Sequence, residues 1–202
     1  MMNRRAFLLG STLSLAFLAA GPMAWAQAGG AAAATNFIVE FGQQLEAIVN
    51  ASESTDGKKE RMQPLVEHAV AVDEIGRFVL GQYWRTATPA QQQQFLQVFH
   101  QVLIANITSK LGEFRGVTFR MAQTTVRNGD YFVGTIITRP NQQANNVQWV
   151  VSTASGRPQI IDVLAEGTSL RLTQRADYSS FISRNGNNVD ALITAMRRQV
   201  AA

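Results

Sequence analysis

The sequence contains no cysteine, which removes disulfide frameworks, thiolate metal sites and thiol nucleophiles together. Histidine is nearly as scarce. His68 and His100 are the only two; they fall on separate helical segments, and neither has a His, Asp or Glu partner at metal-ligand spacing. The motifs G-x-S-x-G and H-E-x-x-H and a phosphate-binding glycine loop are all missing. Neither a metal nor a cofactor is therefore expected. Charged residues make up 16% of the chain, with a formal net charge of +4, too small a surplus to support a nucleic-acid partner. No apolar run approaches the roughly 20 residues of a membrane-spanning helix. Without disulfides or metals, stability has to come from packing.

What is present begins with an address. Met1–Arg5 is short and basic, Ala6–Ala20 is apolar but interrupted by Gly10, Ser11 and Ser14, and Ala24-Trp25-Ala26 is an A-x-A cleavage site. Residues 1–26 read as a signal peptide for export. Arg4-Arg5-Ala6-Phe7-Leu8 also fits a twin-arginine pattern, so both the Tat and the Sec route stay open. Residues 27–34, rich in Gly and Ala, read as a flexible leader, and residues 35–202 as a single domain. The charge is uneven: residues 27–109 hold 5 Lys/Arg and 8 Asp/Glu, whereas residues 110–202 hold 11 and 6. A basic second half of this kind suits anionic headgroups or an acidic partner.

Periodicity then divides the domain. Thr35 or Asn36 is expected to cap a helix carrying Phe37, Phe41, Leu45 and Ile48. Lys58–Ala71 reads as a second helix, with Pro64 tolerated only near its first turn. A short helix follows from Asp73 and closes at Gly81. Thr88-Pro89 opens a longer one whose stripe is Phe95, Phe99, Val102, Leu103, Ile107 and Leu111, with Gly112 ending it. From Gly116 the period becomes two. Val117, Phe119 and Met121 alternate with polar residues, and Asn128-Gly129 marks a hairpin into Tyr131–Arg139. Val147–Thr153 and Pro158–Ala165 are further strands about Ser155-Gly156. Helices return over Leu172–Arg184 and from Val189. Helices, then about four strands in hairpin order, then helices describe an α+β chain with helices on one face of an antiparallel sheet.

The best pair of acids, Asp162 and Glu166, would lie roughly 13 Å apart on one strand, too far for two-carboxylate glycoside hydrolysis. Asp162 is better placed to pair with Arg171 or Arg175. A buried Asp162 acting as a base remains the enzymatic reading, and the chain is not expected to be an enzyme.

Two blocks carry a family resemblance. The first is Leu80-Gly81-x-Tyr83-Trp84-Arg85-x-Ala87-Thr88-Pro89 with Phe95 and Phe99. The second is Asp162-Val163-x-Ala165-Glu166-Gly167-x-Ser169-Leu170, followed by Arg175, Tyr178, Ile182 and Asn185-Gly186. From about Phe37 to Val200 the chain resembles the MlaC-type periplasmic phospholipid carriers, also called the toluene-tolerance auxiliary family. Thr173–Tyr178 is similar to the hopanoid-biosynthesis-associated branch.

The resemblance implies a curved sheet and helices enclosing an apolar cavity for the tails of a phospholipid or a related lipid such as a hopanoid. It also implies transfer between an outer-membrane lipoprotein complex and an inner-membrane MCE-domain ABC transporter. Alternation then assigns a sheet wall of Val117, Phe119, Met121, Val147, Trp149, Val151, Ile161 and Val163. The helical wall would be Phe78, Phe95, Phe99, Leu103, Tyr178, Phe181 and Ile182, while Tyr131–Ile137 is apolar on both parities and shows no inward face. The rival reading is a ligand-free exported adaptor that docks through its basic half; a filled core would favour the adaptor and a hollow one the carrier.

Overall fold

The computed structural model describes residues 22–108, 116–140 and 142–201. Most of the expected signal segment, and the expected helix end at Leu111-Gly112, lie outside them. In chain order the described elements are α1 (Pro22–Asn50), α2 (Thr55–Ala69), α3 (Val72–Leu80), α4 (Gln82–Thr86) and α5 (Pro89–Thr108). Then come β1 (Thr118–Arg127), β2 (Asp130–Thr138), β3 (Asn145–Ser152), β4 (Gln159–Ala165), β5 (Thr168–Ser169), α6 (Leu170–Arg184) and α7 (Val189–Ala201). The chain is α+β. Its five strands form one antiparallel sheet in the order β1-β2-β3-β4-β5. No helix among the described residues is long and apolar enough to cross a membrane.

Local chemistry explains most element ends. Ser54 caps α2 by accepting from Gly57 N. Thr88 Oγ1 accepts from Gln91 N at 3.2 Å while Gln91 Oε1 accepts from Thr88 N at 3.0 Å, a reciprocal capping box just ahead of Pro89. At Asn128-Gly129 both residues have positive φ (54° and 88°), the backbone that a two-residue hairpin needs. Glu166-Gly167 repeats the device (48° and 79°) and creates the short β5, which the sequence reading missed.

Three expectations fail. Thr35 does not cap a helix: α1 runs through it, and Thr35 Oγ1 donates to Ala31 O at 2.8 Å and shares a hydrogen bond with Thr124 Oγ1 on β1. Residues 27–34, expected as a flexible leader, are helical; the run Ala31–Ala34 is strongly helix-favouring, with Ala34 fully buried and Ala31 packed on the core. Pro64 sits well inside α2 rather than in its first turn. It lies on the exposed face, where water can satisfy the carbonyl its ring leaves unpaired.

Two register shifts shape the sheet. One falls in β1 between Met121 and Thr124, opposite Thr135 and Val133. Gly134 belongs there because a Cβ would stand 2.8 Å from Gln123 O. The other falls at Val150/Val151, where β4 carries one extra residue. Each extra residue bends its strand and reverses which parity faces the helices. The main core lies between this inner face and the helices; a small cluster of Ala71, Val150 and Ile161 covers the back.

Candidate functional site: an apolar cavity between helices and sheet

Side chains do not fill the space between the two layers. A cavity of about 560 Å³ remains. Its helical wall comes from Ile38, Phe41, Leu45 and Val49 on α1, Met62 and Val66 on α2, Ile75 and Val79 on α3, and Phe99, Val102, Leu103 and Ile107 on α5. Val117, Phe119, Ile137, Val147, Trp149, Ile160 and Val163 form the sheet wall, and Leu170 and Tyr178 complete it from α6. Polar members are few: Glu46, Asn50, Asn106, Thr135, Arg139, Asp162, Arg171 and Gln174. Asn50, Asn106 and Leu170 are exposed and belong to the rim, with Leu170 51% accessible.

The buried polar members of the wall are already occupied. Thr135 Oγ1 donates to Val147 O at 3.3 Å and accepts from Trp149 Nε1 at 3.0 Å. This pins the Trp149 ring against the sheet, with Phe41 edge-on at 5.5 Å. Asp162, 6% exposed, accepts from Val163 N at 2.8 Å, from Arg171 N at 3.1 Å and from Ser169 Oγ. Arg171 Nε lies 3.4 Å from Oδ2, the oxygen that accepts from Ser169. The expected acid–arginine pair is therefore Asp162–Arg171. Arg175 instead stacks on the Phe78 ring at 5.0 Å, next to Arg171 at 4.5 Å. A carboxylate that accepts three hydrogen bonds and faces a guanidinium is an anchor for the start of α6. Among the described residues no cluster of three His, Cys, Asp or Glu could hold a metal. His100 instead meets Asp73 at 2.8 Å on the surface.

The expected wall residues separate into two groups. Phe99, Leu103, Val117, Phe119, Val147, Trp149, Val163 and Tyr178 do line the cavity. The other seven do not. Phe95 lies behind the wall, fully buried, stacked on Phe99 at 5.7 Å and edge-on to Tyr178 at 6.1 Å. Val151 and Ile182 are likewise filled core, and Met121 packs on that core at the β1 shift. Ile161 is turned to the back of the sheet, because the extra residue in β4 hands the inward place to Ile160. Phe78 lies under the two arginines, and Phe181 faces a separate groove of about 370 Å³ between α6 and α7.

Sequence reasoning placed no residue of α1 or α2 on the wall, although the stripe through Phe41 and Leu45 was a usable signal. In β2 the register supplies the inward face. Ile137 pairs with Phe119, Thr135 with Val147 and Val133 with Trp149, so the odd positions point in.

Burial, and secondarily the neighbouring Asp177 carboxylate, push the Tyr178 phenol from 10.0 up to about 12. The folded chain thus favours the neutral phenol. The stability this contributes is complete below pH 10 and is lost as pH rises towards 12, because the unfolded phenol ionises first. At about 1.4 kcal/mol per pH unit the loss is of order 2 kcal/mol. Denaturant unfolding of wild type and Tyr178→Phe across pH 10 to 12 should show this extra decline in wild type alone.

The two sequence blocks, far apart in the chain, meet around this site. Gly81, at φ 58°, leaves room for Arg175, whose Nε would stand 2.8 Å from any Cβ there. Tyr83 Oη donates to Asn187 Oδ1 at 3.0 Å. Phe95 and Phe99 of the first block pack on Tyr178 of the second.

An α+β shell of this kind, closed around a hollow with mostly apolar walls, defines a cavity protein. The chain belongs to the MlaC protein family, whose model matches residues 34–198. It is 25% identical over 134 residues to the toluene tolerance protein Ttg2D of Pseudomonas putida, a match covering 65% of this chain and 62% of that protein. The chain thus spans less than two thirds of that relative's length. Its fold is similar to that of a phospholipid-binding protein from Ralstonia solanacearum solved in complex with a phospholipid. The TM-score is 0.72 with 19% identity, covering 83% of this chain and 97% of that one.

Proposed function

We propose that this protein is a periplasmic lipid carrier, exported by a cleaved signal segment at residues 1–26, that encloses the acyl tails of a phospholipid or a related lipid such as a hopanoid. The observation that carries the reading is the cavity of about 560 Å³ with apolar walls inside an MlaC-family fold. Each methylene removed from water gains about 0.8 kcal/mol, so a sixteen-carbon chain represents roughly 12 kcal/mol of gross transfer energy. A two-chain lipid does not cross an aqueous space alone on that scale. A carrier has to cover the chains without holding them much more tightly than a bilayer does, and non-directional apolar packing meets that need. Partners in this reading are an outer-membrane lipoprotein complex that exchanges lipid with the carrier and an inner-membrane MCE-domain ABC transporter. The hollow interior supports the carrier over a ligand-free adaptor, and the occupied hydrogen bonds of Asp162 support binding over catalysis.

Organic extraction of the purified protein followed by mass spectrometry is expected to release close to one lipid per chain. Protein that is empty as isolated and takes up no lipid from vesicles after refolding would remove the reading.

A further inference from the structure

Gly42 lies in the middle of α1, buried, on the face that lines the cavity. Glycine weakens a helix interior, and Gly42 is not among the residues whose backbone takes a positive φ. What it supplies is space. A methyl group at this position would overlap the ring of Phe119, coming within 2.5 Å of both Cε atoms. The ring sits in the notch that the missing side chain leaves. Phe119 is half-buried, pairs with Ile137 across the sheet and lines the same cavity. The ring also borders the cavity, so a group at position 42 that displaced it would change the shape of the hollow beside α1. The resting place of one phenyl group therefore decides how much room lies between α1 and the sheet.

We propose that the Gly42–Phe119 contact is the gauge for acyl chains: by parking the ring in the helix, it keeps the cavity wide enough for a lipid with two chains. The inference rests on the lipid-carrier reading and names the substrate class, two-chain over one-chain lipids, that the notch selects. Hydrophobic pockets discriminate by volume because one surplus methylene has to be accommodated by strain or by expulsion.

The test uses wild type, Gly42→Ala, Phe119→Leu and the double variant. Each is stripped of lipid and incubated with an equimolar mixture of diacyl and monoacyl phosphatidylglycerol. Bound lipids are counted by mass spectrometry, and thermal unfolding is followed in parallel. In Gly42→Ala the diacyl-to-monoacyl ratio should fall about tenfold, and in the double variant it should return to within about twofold of wild type. Phe119→Leu alone should shift the ratio severalfold towards diacyl lipid, which keeps the proposal testable if Gly42→Ala does not fold. A folded Gly42→Ala with the wild-type ratio, a folded double variant that does not recover, or an unchanged ratio in Phe119→Leu would each overturn the gauge while leaving the carrier reading intact. A wild type that takes up neither lipid would overturn both.

Discussion

Asp162→Ala is expected to destabilise the protein by about 3 kcal/mol, because it strands several polar groups at once in a buried place. The carboxylate accepts from Val163 N, Arg171 N and Ser169 Oγ and faces Arg171 Nε. With the acceptor gone, the Arg171 guanidinium, whose side chain is 25% accessible, keeps its charge without its partner. Asp162→Asn retains the shape and one acceptor oxygen but turns an amide donor towards other donors, so about half of the loss is expected. The damage should be local before it is global. The first turn of α6 hangs on this cluster, so amide exchange from Leu170 to Arg175 should accelerate first. Leu170, Arg171 and Gln174 also border the cavity, so lipid retention should fall with it. Denaturant unfolding that leaves Asp162→Ala within about 0.5 kcal/mol of wild type would show that the cluster is not an anchor.

Trp149→Asp is expected to have the larger effect on loading. It exchanges an indole that is hydrogen-bonded to Thr135 and packed on Phe41 for a charge on a cavity wall. An unpaired carboxylate next to alkyl chains is strongly disfavoured, so bound lipid should drop at least about tenfold. Removing the ring should also reduce stability by about 3 kcal/mol, the low end for a large aromatic, since part of the ring borders a hollow rather than packed atoms. Leu103→Asp makes the same change from the helical wall, on a half-buried residue of α5. In both variants, lipid extraction and thermal unfolding should separate: loading collapses while a cooperative transition remains. If loading and stability fell in strict proportion, these residues would be ordinary core, and the hollow would have no role in holding lipid.

How much of this was readable beforehand differs from element to element. Thr88-Pro89 and Asn128-Gly129 mark a helix start and a hairpin because their chemistry is local, and both stand where the sequence puts them. The switch from a period of three to four residues to a period of two placed the boundary between the α and β parts. Alternation found Val117, Phe119, Val147, Trp149 and Val163 on the cavity wall. It chose Ile161 in place of Ile160 because one extra residue in β4 reverses parity, and a bulge leaves no mark in a run such as Ile160-Ile161 where both residues are apolar. The Phe78, Phe95, Phe181 and Ile182 assignments failed for a different reason. Helical periodicity identifies the apolar side of a helix but cannot tell a residue that faces a neighbouring side chain from one that faces empty space. The α1 start was misplaced because Thr35 looks like a cap in isolation and acts as a bridge to Thr124 only once β1 lies against it.

The amino-acid order by itself therefore determined the class of fold, the helix start at Thr88-Pro89, the hairpin at Asn128-Gly129 and the family, since all of these depend on spacings of a few residues. The hollow, its width at Gly42 and Phe119, and the use of Asp162 as an anchor were decided only by the tertiary structure. Those properties depend on distances between segments that are remote in the chain, and local periodicity carries no information about the space left between two apolar faces.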